Sequence, residues 1–204
     1  MTTKPIILLI GGATGTGKST VATEVAYRLG INRVTSTDVV RQTLRAFFAE
    51  EYLPSIHRSS FDAGSGEALV DGFLEQTTNV LIAIEATIER ALQEGWSMVL
   101  EGVHLMPGMV SGPRDDATVV QCVLSIQDEK AHAAHFWIRD AASAGLRPVE
   151  KYLDRLDDIR RLQEFIVGRA RETDVPVIEN TNVDDTISAV IELVLERAAE
   201  LERV

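Results

Sequence analysis

Ile6-Ile7-Leu8-Leu9-Ile10-Gly11-Gly12-Ala13-Thr14-Gly15-Thr16-Gly17-Lys18-Ser19-Thr20 decides the fold. An apolar run of strand length passes into a glycine-rich turn, and a helix-forming stretch follows at once. Gly12 to Ser19 meets the pattern G-x-x-x-x-G-K-[ST] in full and in the context that gives it meaning. Glycines at 12, 15 and 17 allow the backbone to turn its N–H groups inward around phosphate oxygens, and the following helix adds the positive end of its dipole. In this reading Gly12, Ala13, Thr14, Gly15, Thr16, Gly17, Lys18, Ser19 and Thr20 form a nucleotide site. Lys18 would reach the β- and γ-phosphates, and the Ser19 hydroxyl would supply one oxygen to Mg2+.

Outward from this loop, short apolar runs alternate with longer stretches of helical period, as in a parallel sheet covered on both faces by helices. Strands are expected at Pro5 to Gly11, Arg33 to Ser36, Ser97 to Glu101, Thr118 to Ser125 and Val175 to Glu179. The first helix is expected from Lys18 to Leu29, ended by Gly30, and the second from Asp38 to Phe48 with Thr37 as its cap. Between Glu67 and Glu94, Leu69, Phe73, Val80, Leu81, Ile84, Ile88 and Leu92 recur at three- and four-residue steps, which predicts one long helix burying a single face. A helix from Asp128 to Ala142, a break at Gly145-Leu146-Arg147-Pro148 and a helix to Ala170 form a polar pair suited to a lid. The last helix is expected from Val183 to Leu201.

Composition narrows the function classes. The chain has 204 residues, 45% hydrophobic and 25% charged, as expected of one globular domain. No apolar run approaches the roughly 18 residues of a membrane span. No secretory signal pattern opens the sequence, so the cytoplasm is the expected compartment. The net charge of −11 opposes nucleic acid and acidic membranes as partners. Cys122, the one cysteine, lies in the apolar run Thr118 to Ile126 and is expected to be a small core residue.

A second anchor for Mg2+ is expected at the carboxyl end of a neighbouring strand, and Glu101 occupies such a place. Asp38 follows the second strand, where it could accept the proton of an attacking hydroxyl or cap the helix. The roles of Asp38 and Glu101 are exchangeable at this stage, so Lys18, Asp38 and Glu101 together are the catalytic candidates. An anionic acceptor calls for fixed cations, and Arg41 and Arg45 follow Asp38 near one helix face. His57, Arg58 and His104 are further substrate-binding candidates. In the lid, Arg139 and Arg147 are the leading candidates to neutralise charge on a transferred group, with Arg155, Arg160 and Arg161 behind them.

Gly11 to Thr20, Thr37-Asp38 with Arg41, Tyr52 to Ser60, and Glu101-Gly102-Val103-His104-Leu105-Met106-Pro107-Gly108 together resemble the 2-phosphoglycerate kinases. Asp128-Glu129 with His132 and Phe136, Tyr152-Leu153 with Ile159-Arg160, and Val175 to Ile178 with Asn180 follow in matching order. The resemblance implies an α/β, three-layer P-loop kinase fold: a five-stranded parallel sheet of order 2-3-1-4-5, helices on both faces, and a helical lid at about 128–171 of a single domain, 1–204. It also implies ATP with Mg2+ and transfer to the free hydroxyl of 2-phosphoglycerate, although no base-reading motif distinguishes ATP from GTP.

The readings to separate are a kinase for this or another small metabolite, such as a sugar acid or nucleotide-sugar, and a nucleotide-dependent switch that transfers nothing. The partner expected is a small-molecule substrate. The long helix also offers a face that could cross a homodimer axis.

Overall fold

The computed structural model describes residues 4–62, 64, 67–110, 112, 114–142 and 148–202. Five strands form one parallel sheet: β1 (Ile6–Gly11), β2 (Val34–Ser36), β3 (Met98–Glu101), β4 (Thr118–Ser125) and β5 (Val177–Glu179). Their spatial order is β2-β3-β1-β4-β5, as expected. In register, Ile10 lies opposite Glu101 and Cys122, so β1 and β3 end together on the carboxyl edge while β4 runs on to Ser125.

The apolar runs read as strands because both sheet faces are covered. Leu8 and Ile10 of β1 pack with Val21, Ala22 and Val25 of α1 (Lys18–Arg28), and with Ile187, Val190 and Val194 of α7 (Val183–Glu202). Their neighbours Ile7 and Leu9 point the other way, toward Val80, Ile84 and Ile88 of α3 (Glu67–Gln93). The alternation along β1 thus divides a three-layer core. Cys122 lies in this core, where burial pushes its thiol up to about 12.

Several boundaries differ from expectation. The helix α2 (Thr37–Phe47) starts one residue early, and its cap is Ser36, whose Oγ accepts from the Asp38 N–H at 3.2 Å. The adjacent Thr37 hydroxyl is instead committed inward, as described below. Strands β2, β3 and β5 are shorter than the apolar runs that contain them. The region expected to form a lid comprises α4 (Glu129–Ala142), the one-turn α5 (Glu150–Leu153) and α6 (Leu156–Glu172), so its second helix is interrupted at Asp154-Arg155. Asp128 caps α4 by accepting from the Ala131 N–H at 2.7 Å. Arg147 and most of the expected break lie outside the described residues. No described helix is long and apolar enough to cross a membrane.

Candidate active site

The glycine loop joins β1 to α1 at the carboxyl edge. Gly15 and Gly17 have φ of +88° and +84°, where a side chain is strained, and their neighbours leave no room for one. A Cβ on Gly15 would lie 2.5 Å from Phe136 Cζ, and one on Gly17 would lie 2.4 Å from Asn180 Nδ2. Gly17 also stands at the N-cap of α1, which has no side-chain cap and no acidic residue in its first turn. The first N–H groups of the helix therefore retain their attraction for an anion.

Lys18 is buried and folds back on the loop, donating to Ala13 O at 2.6 Å, with Thr16 Oγ1 3.4 Å away. Burial lowers its pKa to about 8, while the charge of Glu101 opposes that shift and Arg139 adds to it. Glu101 ends β3, is 6% exposed, and accepts from Ser19 Oγ at 3.0 Å. A hydroxyl and a carboxylate from two elements thus meet beside the phosphate cradle. They are hard oxygen donors of the kind Mg2+ takes. Among the described residues no cluster of three metal-binding side chains occurs, so waters and phosphate oxygens would complete an ion's shell here. Thr20 follows, exposed, on the first turn of α1.

On the side expected for the acceptor, Asp38 is exposed at the start of α2, and its Oδ1 accepts from Arg41 Nε at 3.0 Å and Nη2 at 2.7 Å. Arg41 Nη1 donates in addition to Ile56 O at 2.7 Å and Arg58 O at 3.0 Å. The arginine expected to touch substrate therefore ties Asp38 to the segment 54–58. Arg45 Nη1 donates to Gln42 Oε1 at 3.0 Å, and its buried Nε has no partner. His57 Nε2 donates to Phe48 O at 2.8 Å, closing the loop after α2. The Arg58 side chain is exposed.

His104 is also placed differently from the expectation of a substrate contact. It is 1% exposed, with Nδ1 2.9 Å from Thr37 Oγ1 and Nε2 3.0 Å from Gln76 Oε1. Gln76 Nε2 donates to Ser55 O at 2.5 Å and Arg58 O at 3.0 Å, so its Oε1 must accept from His104 Nε2–H. It follows that Nδ1 accepts from the Thr37 hydroxyl. Burial, with Arg41 adding to it, lowers the His104 pKa to about 3, which keeps this ring neutral. Behind the site, one buried chain thus joins α2, the turn after β3, the segment 55–58 and α3. It passes so close to Gly102 that a Cβ there would lie 1.9 Å from Thr37 Oγ1.

One face of α4 meets the loop. His132 Nε2 lies 2.8 Å from Thr14 O and His135 Nδ1 lies 2.9 Å from Gly15 O. Arg139, on the same face, stacks over the Tyr152 ring at 5.1 Å, and its charge acts on Lys18. Arg155 donates instead to Phe61 O at 2.6 Å and Gly64 O at 3.1 Å, and Arg160 to Gln127 O at 2.9 Å. Arg161 is exposed.

Residues 132, 135, 136 and 139 are spaced i, i+3, i+4, i+7, the spacing of a helix face. That spacing marks His135 beside Arg139, the one of the four expected to act in the site, while His132, Phe136, Asn180 and Thr37 enter the sequence reading through the family resemblance or as a helix cap and without a site role. Gln76 carries no such signal.

No family model matches the chain. It is 39% identical over 203 residues to the 2-phosphoglycerate kinase of Thermococcus kodakarensis, covering 96% of this chain and 68% of that protein. To the 2-phosphoglycerate kinase of Methanopyrus kandleri it is 36% identical over 208 residues, covering 98% of this chain and 64% of that protein. The chain therefore spans about two thirds of the length of these curated relatives. Among solved structures it is similar to a gluconokinase from Sinorhizobium meliloti 1021, with a TM-score of 0.58 at 14% identity, over 98% of this chain and 97% of that one. At that identity the likeness concerns the fold.

Proposed function

The chain belongs to the 2-phosphoglycerate kinase family, and from that premise we propose that it transfers the γ-phosphoryl group of ATP to the free hydroxyl of 2-phosphoglycerate, giving 2,3-bisphosphoglycerate and ADP. The observation that carries the chemistry is the meeting of Ser19 Oγ and Glu101 Oε1 at 3.0 Å, beside a buried Lys18 and the glycine loop. The acceptor is the one named in the relatives.

The loop N–H groups and Lys18 bind the β- and γ-phosphates, while Ser19 and Glu101 would hold Mg2+ directly or through water, where the ion would supply neutralisation of charge on the phosphate oxygens. Asp38, its carboxylate held by Arg41, takes the proton of the acceptor hydroxyl. The new P–O bond forms as the β,γ-bridging P–O bond breaks, and ADP leaves. Arg45 and Arg58 bind the anionic acceptor, since Arg41 is committed to Asp38 and two carbonyls. Arg139 stabilises charge on the transferred group from the lid. Residues 1–204 act as one domain in this reading.

The test is ADP release with Mg2+ and ATP against 2-phosphoglycerate, 3-phosphoglycerate, glycerate and a panel of sugar acids, with Lys18→Ala as control. Turnover on 2-phosphoglycerate that the control loses supports the reading. Turnover only on another acid replaces the acceptor, and silence across the panel removes the kinase.

A further inference from the structure

Three side chains from outside the glycine motif reach the outer rim of the phosphate loop, each on a successive carbonyl. His132 Nε2 is 2.8 Å from Thr14 O, His135 Nδ1 is 2.9 Å from Gly15 O, and Asn180 Nδ2 donates to Thr16 O at 3.0 Å. A carbonyl can only accept, so His132 carries its proton on Nε2 and His135 on Nδ1. In a trans peptide the C=O of one residue and the N–H of the next point in opposite directions. Holding the carbonyls of 14, 15 and 16 outward therefore turns the N–H groups of 15, 16 and 17 inward, toward the place a phosphate would occupy.

Two of the donors are themselves well held. His132 is fully buried and stacks on Phe136, which stacks in turn on Tyr152 at 5.0 Å. Asn180 is 4% exposed, with the Thr186 hydroxyl donating to its Oδ1 at 2.9 Å, which orients its Nδ2 toward the loop. The grip comes from two directions: α4 supplies the histidines and the turn after β5 supplies the asparagine. The gripped peptides contain Gly15 and Gly17, whose backbones would otherwise rotate with little steric cost.

We propose that His132, His135 and Asn180 are positioning residues that preorganise the inward N–H groups for the phosphates of a nucleoside di- or triphosphate. The proposal rests on the reading that this loop binds nucleotide. It assigns these residues no contact with substrate. They act through the orientation of the backbone.

Conservative replacements separate donation from packing, because Asn Nδ2 can stand where His Nδ1 stood, and Gln Nε2 where His Nε2 stood. Mg·ADP binding is measured by calorimetry for the wild type, His135→Leu, His135→Asn, His132→Gln and Asn180→Leu, beside the melting temperature of each protein without nucleotide.

His135→Leu and Asn180→Leu are expected to weaken ADP binding about tenfold, the scale of one lost buried hydrogen bond. The KM for ATP should rise with kcat little changed, and the melting temperature of His135→Leu should stay within about 2 °C of the wild type. His135→Asn and His132→Gln are expected to bind ADP nearly as the wild type does. An unchanged ADP affinity in His135→Leu would overturn the proposal, as would equal losses in His135→Leu and His135→Asn. If the wild type binds no ADP, or Lys18→Ala binds it equally well, the nucleotide reading itself falls and the clamp with it.

Discussion

Ser19 Oγ donates to Glu101 Oε1 at 3.0 Å although 82 residues separate them, which joins the helix end of the phosphate loop to the end of β3. The parallel register makes this possible by placing Glu101 beside Ile10, just before the loop begins. The hydroxyl and the buried carboxylate thus stand together as the oxygen pair proposed above for Mg2+.

Glu101→Gln preserves size and still accepts from Ser19, so it removes charge and little else. Activity is expected to fall ~10- to 100-fold, with the Mg2+ concentration for half-maximal rate moving upward. A Mg2+ titration of ATP turnover checks this, and an unchanged Mg2+ requirement would remove Glu101 from the metal site.

Burial disfavours the charge of Lys18 and pushes its ammonium down to about 8, well below the ordinary lysine value. Phosphate binding restores the charge, so nucleotide binding should take up a proton, increasingly as pH rises through 8, and affinity should fall above that pH. Calorimetry of ADP binding at pH 7 and pH 9, in buffers of different ionisation enthalpy, measures the uptake. Equal uptake at both pH values would show that Lys18 is charged before the nucleotide arrives.

Asp38→Asn should lower kcat by at least about a hundredfold, the scale of a lost general base, while ADP affinity stays as in the wild type. Arg41→Ala should behave differently. It removes the ion pair to Asp38 and leaves the carbonyls of Ile56 and Arg58 without this donor, for a stability loss of about 1–3 kcal/mol. Comparing the two variants by turnover and denaturant unfolding separates them, and full activity in Asp38→Asn would return the role of base to Glu101.

The phosphate loop and the five strands could be read from the sequence because their signals are local: a fixed glycine spacing and short apolar runs. Glu101 was legible for a related reason, as a carboxylate at the end of such a run. The buried chain was not. It links His104 to residues 67 and 28 positions away, and an isolated histidine in sequence looks the same on a surface, in a core or at a substrate. Arg41 reads in the sequence as a cation open to substrate, since its reach to Ile56 and Arg58 depends on how the segment 54–58 folds back. The helix cap was placed on Thr37 when adjacent hydroxyls at 36 and 37 were equally able to provide it, and only the inward pull of His104 separates them.

That same buried histidine gives the molecule an acid-sensitive step. His104 has a pKa of about 3 in the fold, against an ordinary value of 6.5. Below the ordinary value the unfolded chain binds a proton that the native site refuses, so stability is lost as pH falls from about 6.5 toward about 3, by up to about 1.4 kcal/mol per pH unit. His104→Phe abolishes this slope but leaves Thr37 Oγ1 and Gln76 Oε1 without their partner, so it should be the weaker protein at pH 7 and lose less on acidification. Denaturant unfolding of both proteins at pH 7, 6, 5 and 4 should give curves that converge toward acid. Parallel curves would mean that His104 is protonated in the fold and that the neutral chain from Thr37 to Gln76 is drawn wrongly.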